Sequence, residues 1–455
     1  MRVQTVLLVL LLSLLTSCGR DSSEAPLPRL NVLIIAIDTL RADRMSLYGY
    51  ERPTTPEIED FAATATTYER AITPSSWTRA SFASYFTGLH PETHGCVNRD
   101  GQMSEGLHTL AERFREAGWS TACIYSNANI APELGFDQGF DLYDAPPINA
   151  GYPRDVGMID AISMNDRIFR WLRDERPVDK PWFLFALYVD PHDPYLPHDE
   201  HRFGEDQPGD YIDGSRRVLR AMDKGETTRN VDLIKRVNRN LYDGEVAFVD
   251  HHVGALLDEL ETQGLNNDTV VILLSDHGEG LWDHHDYRSH GEQVYQEQIH
   301  VPLIMRWPGR TVPGAKIEQP VAVMDVFGTL AEEFALAEPD EHESRSLFSE
   351  ALTDPRPLYV DEKVGRLHRR AVIDWPWKVI LDRTAPPELY HLDDDPRELR
   401  SVADLEPAIV ARLTAVADSI AARGDSLRTT FMLEREPLRL DEETKRRIEA
   451  LGYVN

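Results

Sequence analysis

Val270-Val-Ile-Leu-Leu-Ser-Asp-His-Gly278 is the stretch whose reading decides the fold. Its five apolar residues, Val270 to Leu274, run straight into Ser275-Asp276-His277-Gly278. The run is rich in β-branched residues and too short for a helix that could bury itself. It therefore reads as a strand covered on both faces. A carboxylate and an imidazole stand side by side where the strand ends. Open α/β sheets bind ligands at the carboxyl ends of their strands, so Asp276 and His277 are candidate ligands of a metal ion.

Working outward, the same pattern recurs. Asn31 to Ile37 is apolar and ends at Asp38, and Trp182 to Val189 ends at Asp190-Pro-His192. Ser120 to Tyr125 ends at Ser126-Asn127, and Val301 to Met305 is a further strand. Amphipathic stretches predict helices over 57–66, 107–117 and 241–260, the last through Val246, Val249, Val253, Leu256 and Leu260. Strand and helix alternate to about residue 335, which predicts an α/β fold with a mostly parallel sheet covered on both faces. Acidic residues from Glu338 to Glu343 mark a boundary between a catalytic domain (30–337) and a small C-terminal α+β subdomain (338–455). That subdomain should hold short antiparallel strands at 358–361, 370–373 and 377–381, then helices at 405–427 and 441–451. Residues 199–235 read as a polar excursion over the site.

The chain has 455 residues, 42% of them hydrophobic, enough for a large core. Its 48 Lys and Arg against 77 Asp and Glu give a net charge of −29, which argues against nucleic acid as a partner. Met1-Arg2 followed by an apolar run from Val6 to Leu15 reads as a signal peptide over 1–17. Leu15-Thr-Ser-Cys18 resembles a bacterial lipobox, making Cys18 a lipidation site and 18–29 a tether. The expectation is a lipid-anchored protein on the periplasmic side of the cell envelope, at the outer membrane. Cys96 and Cys123 are open to two readings, a disulfide or two buried thiols.

Three strand ends carrying Asp38, the Asp190/His192 pair and Asp276/His277 converge on one sheet edge. Mixed carboxylate and imidazole ligation suits one Zn²⁺ or Mn²⁺ ion, with Ca²⁺ as the alternative. Such an ion lowers the pKa of a coordinated hydroxyl, and a Ser or Thr then becomes a nucleophile. The hydroxyl-rich stretch Thr73 to Gly88 supplies candidates near a helix start, where backbone N–H groups favour an anion. Arg79 and Asn127 are candidate contacts to an anionic ester. Lys378 reads as a surface lysine or one reaching the site mouth.

These residues resemble the sulfatases of the alkaline phosphatase superfamily. The segments that carry the resemblance are Ile37-Asp-Thr-Leu-Arg-Ala-Asp43, Phe86-Thr-Gly-Leu-His-Pro91, Pro191-His-Asp-Pro-Tyr195, Ser275-Asp-His-Gly-Glu279, Ser289-His-Gly291 and Leu389-Tyr-His-Leu-Asp-Asp-Asp-Pro396. The resemblance implies an alkaline-phosphatase-like α/β/α sandwich and a metal held by Asp38, Asp276, His277 and the nucleophile hydroxyl. It implies that His192 and His290 contact the transferred or leaving group, and that His284 matches a further family histidine. Thr39 stands where many arylsulfatases carry another metal aspartate.

The family's Cys/Ser-x-Pro-x-Arg motif, whose first residue becomes formylglycine, is altered here. The spacing to Gly88 puts Thr78 at the nucleophile position, with Ala80 for the proline and Phe82 for the arginine. A secondary alcohol cannot give formylglycine, so Thr78 would act directly. A shifted register, Ser75-Ser-Trp-Thr-Arg79, is the competing placement. The implied activity is hydrolysis of a sulfate or phosphate ester. Transfer of a phospho-group to an envelope glycan or lipid, and a catalytically inactive binding lipoprotein, are the alternatives.

Overall fold

The computed structural model describes residues 30–97, 101–147, 158–204, 217–227, 230–336, 342–348, 355–431 and 440–451. The signal peptide, Cys18, the tether and the 338 boundary lie outside the described residues, as does part of the 199–235 excursion.

Eight strands form the central sheet: β1 (Asn31–Ile37), β2 (Thr66–Tyr68), β3 (Ser120–Tyr125), β4 (Leu142–Asp144), β5 (Trp182–Tyr188), β6 (Thr269–Ser275), β7 (Leu303–Arg306) and β8 (Ala315–Ile317). Their order is β8-β2-β7-β6-β1-β5-β3-β4. Pairing is parallel throughout except around β7, which runs antiparallel to both β6 and β2. Ile37 of β1 lies level with both Ser275 of β6 and Tyr188 of β5. Three strands thus end together, and the residues that follow meet at one edge of the sheet.

Alternation along each strand sends side chains to two separate cores. Val32, Ile34, Val270 and Ile272 pack on one face, while Leu33, Ile35, Val271 and Leu273 pack on the other. The first face is covered by helices α2 (Thr78–Thr87), α3 (Leu110–Glu116) and α6 (Asp325–Glu333). The second is covered by α1 (Pro56–Ala62), α4 (Ala161–Arg170) and α5 (Val231–Thr262). A layer of sheet between two layers of helix explains why the central strands read as unbroken apolar runs. Each large aliphatic side chain so buried contributes about 1.5–3 kcal/mol.

Helix limits differ from the sequence expectation where caps decide them. The stripe at 107–117 becomes α3 only from Leu110, because Thr109 and Glu112 close a capping box. The helix predicted at 241–260 extends back to Val231, where Asn230 caps it. Cys96 and Cys123 are buried free thiols.

A four-stranded antiparallel sheet, β9 (Leu358–Val364), β10 (Leu367–Asp374), β11 (Trp377–Asp382) and β12 (Glu388–His391), follows in the C-terminal part. One face of it, Leu358, Val360 and Ile373, joins the main core. The other, with Tyr359, Val372 and Val379, packs on α7 (Pro407–Thr430). Lys378 corrects the expectation of a surface lysine: it is fully buried, with Nζ 2.6 Å from Glu398 Oε1.

Candidate active site

Asp38 directly follows β1, its backbone N–H bonded to the carbonyl of Tyr188 on β5. Asp276 directly follows β6. Its Oδ1 accepts the N–H groups of Thr39, at 3.2 Å, and of His277, at 2.9 Å. Thr39 adopts a left-handed φ of 56°, the turn that folds the chain back under Asp276. His277 Nδ1 donates to the carbonyl of Gly278 at 2.8 Å, so Nε2 carries the lone pair. That Nε2 lies 3.7 Å from Asp38 Oδ1 and 3.4 Å from Asp276 Oδ2.

Thr78 opens α2, with its Oγ1 3.1 Å from His277 Nε2. The helix is buried along its whole length. Phe82 and Phe86 pin it to Phe185 of β5, with ring centroids 5.5 and 4.8 Å apart. From below, the Tyr85 hydroxyl donates to the carbonyl of Ser275 at 2.9 Å. The helix N-terminus, with its partial positive charge, is held beside the two aspartates. Phe82, at the family's arginine position, is core.

Asp38, Asp276 and His277 present ligand atoms within 4.8 Å of one another. Asp38 Oδ1 and Asp276 Oδ2 are buried and accept no hydrogen bond. Burial, then the charge of Asp276, hold the Asp38 carboxyl well above the usual range, and burial also raises Asp276. Two buried carboxylates without a counter-charge cannot both ionise at little cost. The residues present therefore fit a divalent cation: two orphaned oxygens and an imidazole nitrogen, with the Thr78 hydroxyl alongside.

Asn127 follows β3, and its Nδ2 donates to Asp38 Oδ2, which places it beside the ligand cluster. The His290 ring centroid lies 4.4 Å from that of His277 and 5.0 Å from that of His192. His290 Nδ1 is 3.2 Å from Glu279 Oε1, and His192 Nδ1 bonds to the carbonyl of Asp193 at 2.6 Å. Glu279 is fully buried, and that burial pushes its carboxyl up to about 7. It stands two residues beyond His277. In the sequence it is one more acidic residue in a motif, and its partner is eleven residues further on.

Two predicted contacts have polar groups engaged by neighbouring residues. Arg79 is buried, donating to the carbonyl of Gly101 at 2.8 Å and to Asn129 Oδ1 at 3.2 Å. His284 is not brought to the cluster. Its Nδ1 meets Glu297 Oε1 at 2.8 Å and its Nε2 the carbonyl of Glu398 at 3.1 Å, and its ring stacks on Tyr295. Burial opposes its charge, but the Glu297 carboxylate raises its pKa. It lines a separate cavity of about 700 Å³ together with Arg41, Trp375 and Leu392. The competing nucleophile register is also located: Ser75 and Ser76 both bond to Glu362 on β9.

Comparison with known proteins shows the family and the fold. An arylsulfatase of Clostridium perfringens is 24% identical over 379 residues, covering 70% of this chain and 77% of its own. A choline-sulfatase of Rhizobium meliloti is 22% identical, covering 87% of each chain. The crystal structure of a phosphonate monoester hydrolase of Agrobacterium radiobacter superposes with a TM-score of 0.67 at 20% identity, covering 89% of this chain and 96% of that one. The sulfatase family model matches residues 30–334, well over half of the 455, and on that match the chain belongs to the sulfatase family of hydrolases.

Proposed function

We propose that this chain cleaves a sulfate or phosphate ester with Thr78 as its nucleophile and one divalent cation held by Asp38, Asp276, His277 and Thr78. The observation that carries the reading is Thr78 Oγ1 at 3.1 Å from His277 Nε2, beside two orphaned carboxylate oxygens. A bound Zn²⁺ or Mn²⁺ would supply Lewis acidity toward the ester oxygens and a more acidic Thr78 hydroxyl.

The chain's own residues do the rest. The N-terminus of α2 stabilises the ester's negative charge, and Asn127 orients Asp38. Thr78 Oγ1, its proton given up to solvent, attacks in line; the new bond forms on its own oxygen as the S–O or P–O bond to the leaving oxygen breaks. His290, with Nδ1 held by Glu279, presents its other nitrogen for proton donation to the leaving group. His192 sits across from His290 and contacts the transferred group. Water then hydrolyses the Thr78 ester.

Relatives named as sulfatases favour a sulfate ester. The direct alcohol nucleophile and the phosphonate monoester hydrolase neighbour favour phosphodiesters or phosphonates. An aryl sulfate, aryl phosphate and phosphodiester panel with Zn²⁺, Mn²⁺ and Ca²⁺ tests both. A covalent adduct on Thr78, seen by mass spectrometry and absent in Thr78→Ala, is the expected result. Full activity in Thr78→Ala would refute the reading. Lipid on Cys18 would anchor the enzyme in the bacterial envelope. Radiolabelled palmitate incorporation that disappears in Cys18→Ala tests this.

A further inference from the structure

Helix α2 leads, through Gly88, into a short turn at Pro91–His94 that touches the C-terminal sheet. Glu92 sits in this turn, Asp361 on β9 and His368 on β10. In the hairpin Asp361 pairs with Arg370, which places His368 two residues away on the same face. The face is the one that packs on α7. Gly424 of α7 lets that helix come close: a Cβ there would lie 2.9 Å from Thr93 Oγ1 and 3.5 Å from Glu92 Cβ.

One ring nitrogen faces both acids. His368 Nε2 lies 2.7 Å from Asp361 Oδ1 and 3.8 Å from Glu92 Oε1. A single N–H cannot serve both. Of the remaining oxygens, Asp361 Oδ2 is buried without a hydrogen-bond partner, and buried Glu92 Oε2 has only the Tyr359 hydroxyl near its carboxyl. Asp361 itself is 1% exposed. Of the neighbouring guanidinium groups, Arg370 bonds to Asp418 Oδ1 at 3.0 Å and offsets part of the Glu92 charge from across the hairpin, and Arg428 bonds to the backbone carbonyl of Glu92, so no guanidinium hydrogen bond to the two carboxylates is seen among the described residues. Ligand atoms of the three residues lie within 4.8 Å of one another. One nitrogen and two carboxylates, with water completing the shell, is a donor set for Zn²⁺ or Mn²⁺.

We propose that Glu92, Asp361 and His368 hold a second divalent cation, separate from the Thr78 site, which ties the exit turn of the nucleophile helix to the C-terminal sheet. The same strand already grips the entry to that helix. The Asp361 N–H donates to the carbonyl of Pro74, and Glu362 binds Ser75 and Ser76. A cation on Asp361 would thus fasten α2 at both ends to one strand, a structural role rather than a chemical one.

The test is metal content, measured by elemental analysis on Zn²⁺-loaded protein dialysed against metal-free buffer. Wild type should retain two ions per chain. Glu92→Gln and His368→Gln should each retain one, with affinity for the lost ion down by about 10-fold or more. Asp276→Asn, which leaves the second site intact, should also retain one, and its Zn²⁺-dependent rise in melting temperature should persist. Asp276→Asn with no bound ion overturns the proposal whether or not the other variants fold. So do Glu92→Gln and His368→Gln proteins that hold as much Zn²⁺ as wild type. Two ions in Asp276→Asn with one in His368→Gln would instead refute the Thr78 metal site and leave this one standing.

Discussion

Ser75 Oγ lies 2.7 Å from Glu362 Oε2, which joins the loop before α2 to the C-terminal sheet. The same oxygen accepts the N–H of Ser76 at 3.1 Å and is 3.0 Å from its hydroxyl. Ser75 is therefore engaged by the C-terminal sheet, and Thr78 is the hydroxyl beside the candidate ligand His277. Ser75→Ala should lose one hydrogen bond, about 1 kcal/mol of stability, and keep most of its kcat. Thr78→Ala should lose roughly 10³-fold or more in kcat. Steady-state kinetics on both variants checks this. Equal losses would mean that the loop, and not the Thr78 hydroxyl, limits the reaction.

Glu362 is a positioning residue by the same geometry. Burial pushes its carboxyl up to about 7, opposed by the Ser75 and Ser76 bonds. Glu362→Ala should leave two hydroxyls and an N–H without their buried partner, at about 1–3 kcal/mol. Since the loop sets where Thr78 begins its helix, kcat should fall while KM stays near the wild-type value. A change in KM alone would show that the clamp serves binding.

Much of this was legible in the sequence because burial on both faces writes itself as unbroken apolar runs. β1, β5 and β6 run into Asp38, Asp190 and Asp276 within two residues of their ends, and their convergence follows from parallel pairing. Asn127 was reachable by the same rule. What the sequence hid are long-range pairings without local pattern. Lys378 reads as a surface residue in a hairpin, yet Glu398, twenty residues on, receives it in the core. His284 reads as a member of the histidine loop, but Glu297 and Glu398 draw it to the other side of that loop. Arg79 is drawn inward by a backbone carbonyl at Gly101 and by Asn129.

Metal removal should have a sign opposite to intuition in one variant. Without a cation, Asp38 and Asp276 share a fully buried site in which both carboxyl pKa values are raised. Their contribution to stability is complete below the unfolded carboxyl value, about 3.9, and is lost as pH rises. Chelated wild type should therefore weaken from acid to neutral pH, and added Zn²⁺ should restore more stability at pH 8 than at pH 5. Chelated Asp276→Asn, relieved of one unmatched charge, should be as stable as chelated wild type or more so, by about 1–4 kcal/mol. Calorimetry with and without chelator reads both effects. A chelated Asp276→Asn protein far less stable than chelated wild type would exclude this electrostatic account.

Asp250 offers a pH test remote from the chemistry. It lies on α5 and accepts the N–H groups of Glu57 and Ile58 at the start of α1, at 3.0 and 2.9 Å. Burial, partly offset by these two bonds, pushes its carboxyl up to about 7. The folded value is above the unfolded one, so the stabilisation is complete below about 3.9 and lost as pH rises toward 7. Asp250→Asn is neutral throughout and should have a flatter stability profile over that window. Urea midpoints of the two proteins should draw together toward acid pH and separate, in favour of the variant, toward neutral. Parallel profiles would place the Asp250 carboxyl at an ordinary pKa.

Gly278 tests how tightly the Asp276-His277 turn is packed. A Cβ at this position would come 2.1 Å from the carbonyl oxygen of Glu297 and 3.0 Å from Arg41 Cγ. The first neighbour is backbone, held by two bonds: the Gly278 N–H donates to the Gln298 carbonyl, and the Glu279 N–H to that of Glu297. It cannot step aside without breaking that ladder. Gly278→Ala should cost about 1–3 kcal/mol as overpacking. The Gly278 carbonyl is also the acceptor that fixes His277 Nδ1, so the strain reaches the Nε2 facing Thr78. The variant should fold with a lowered melting temperature, bind Zn²⁺ more weakly and turn over more slowly. If it melts lower yet keeps wild-type Zn²⁺ affinity, the turn bears on stability without positioning His277.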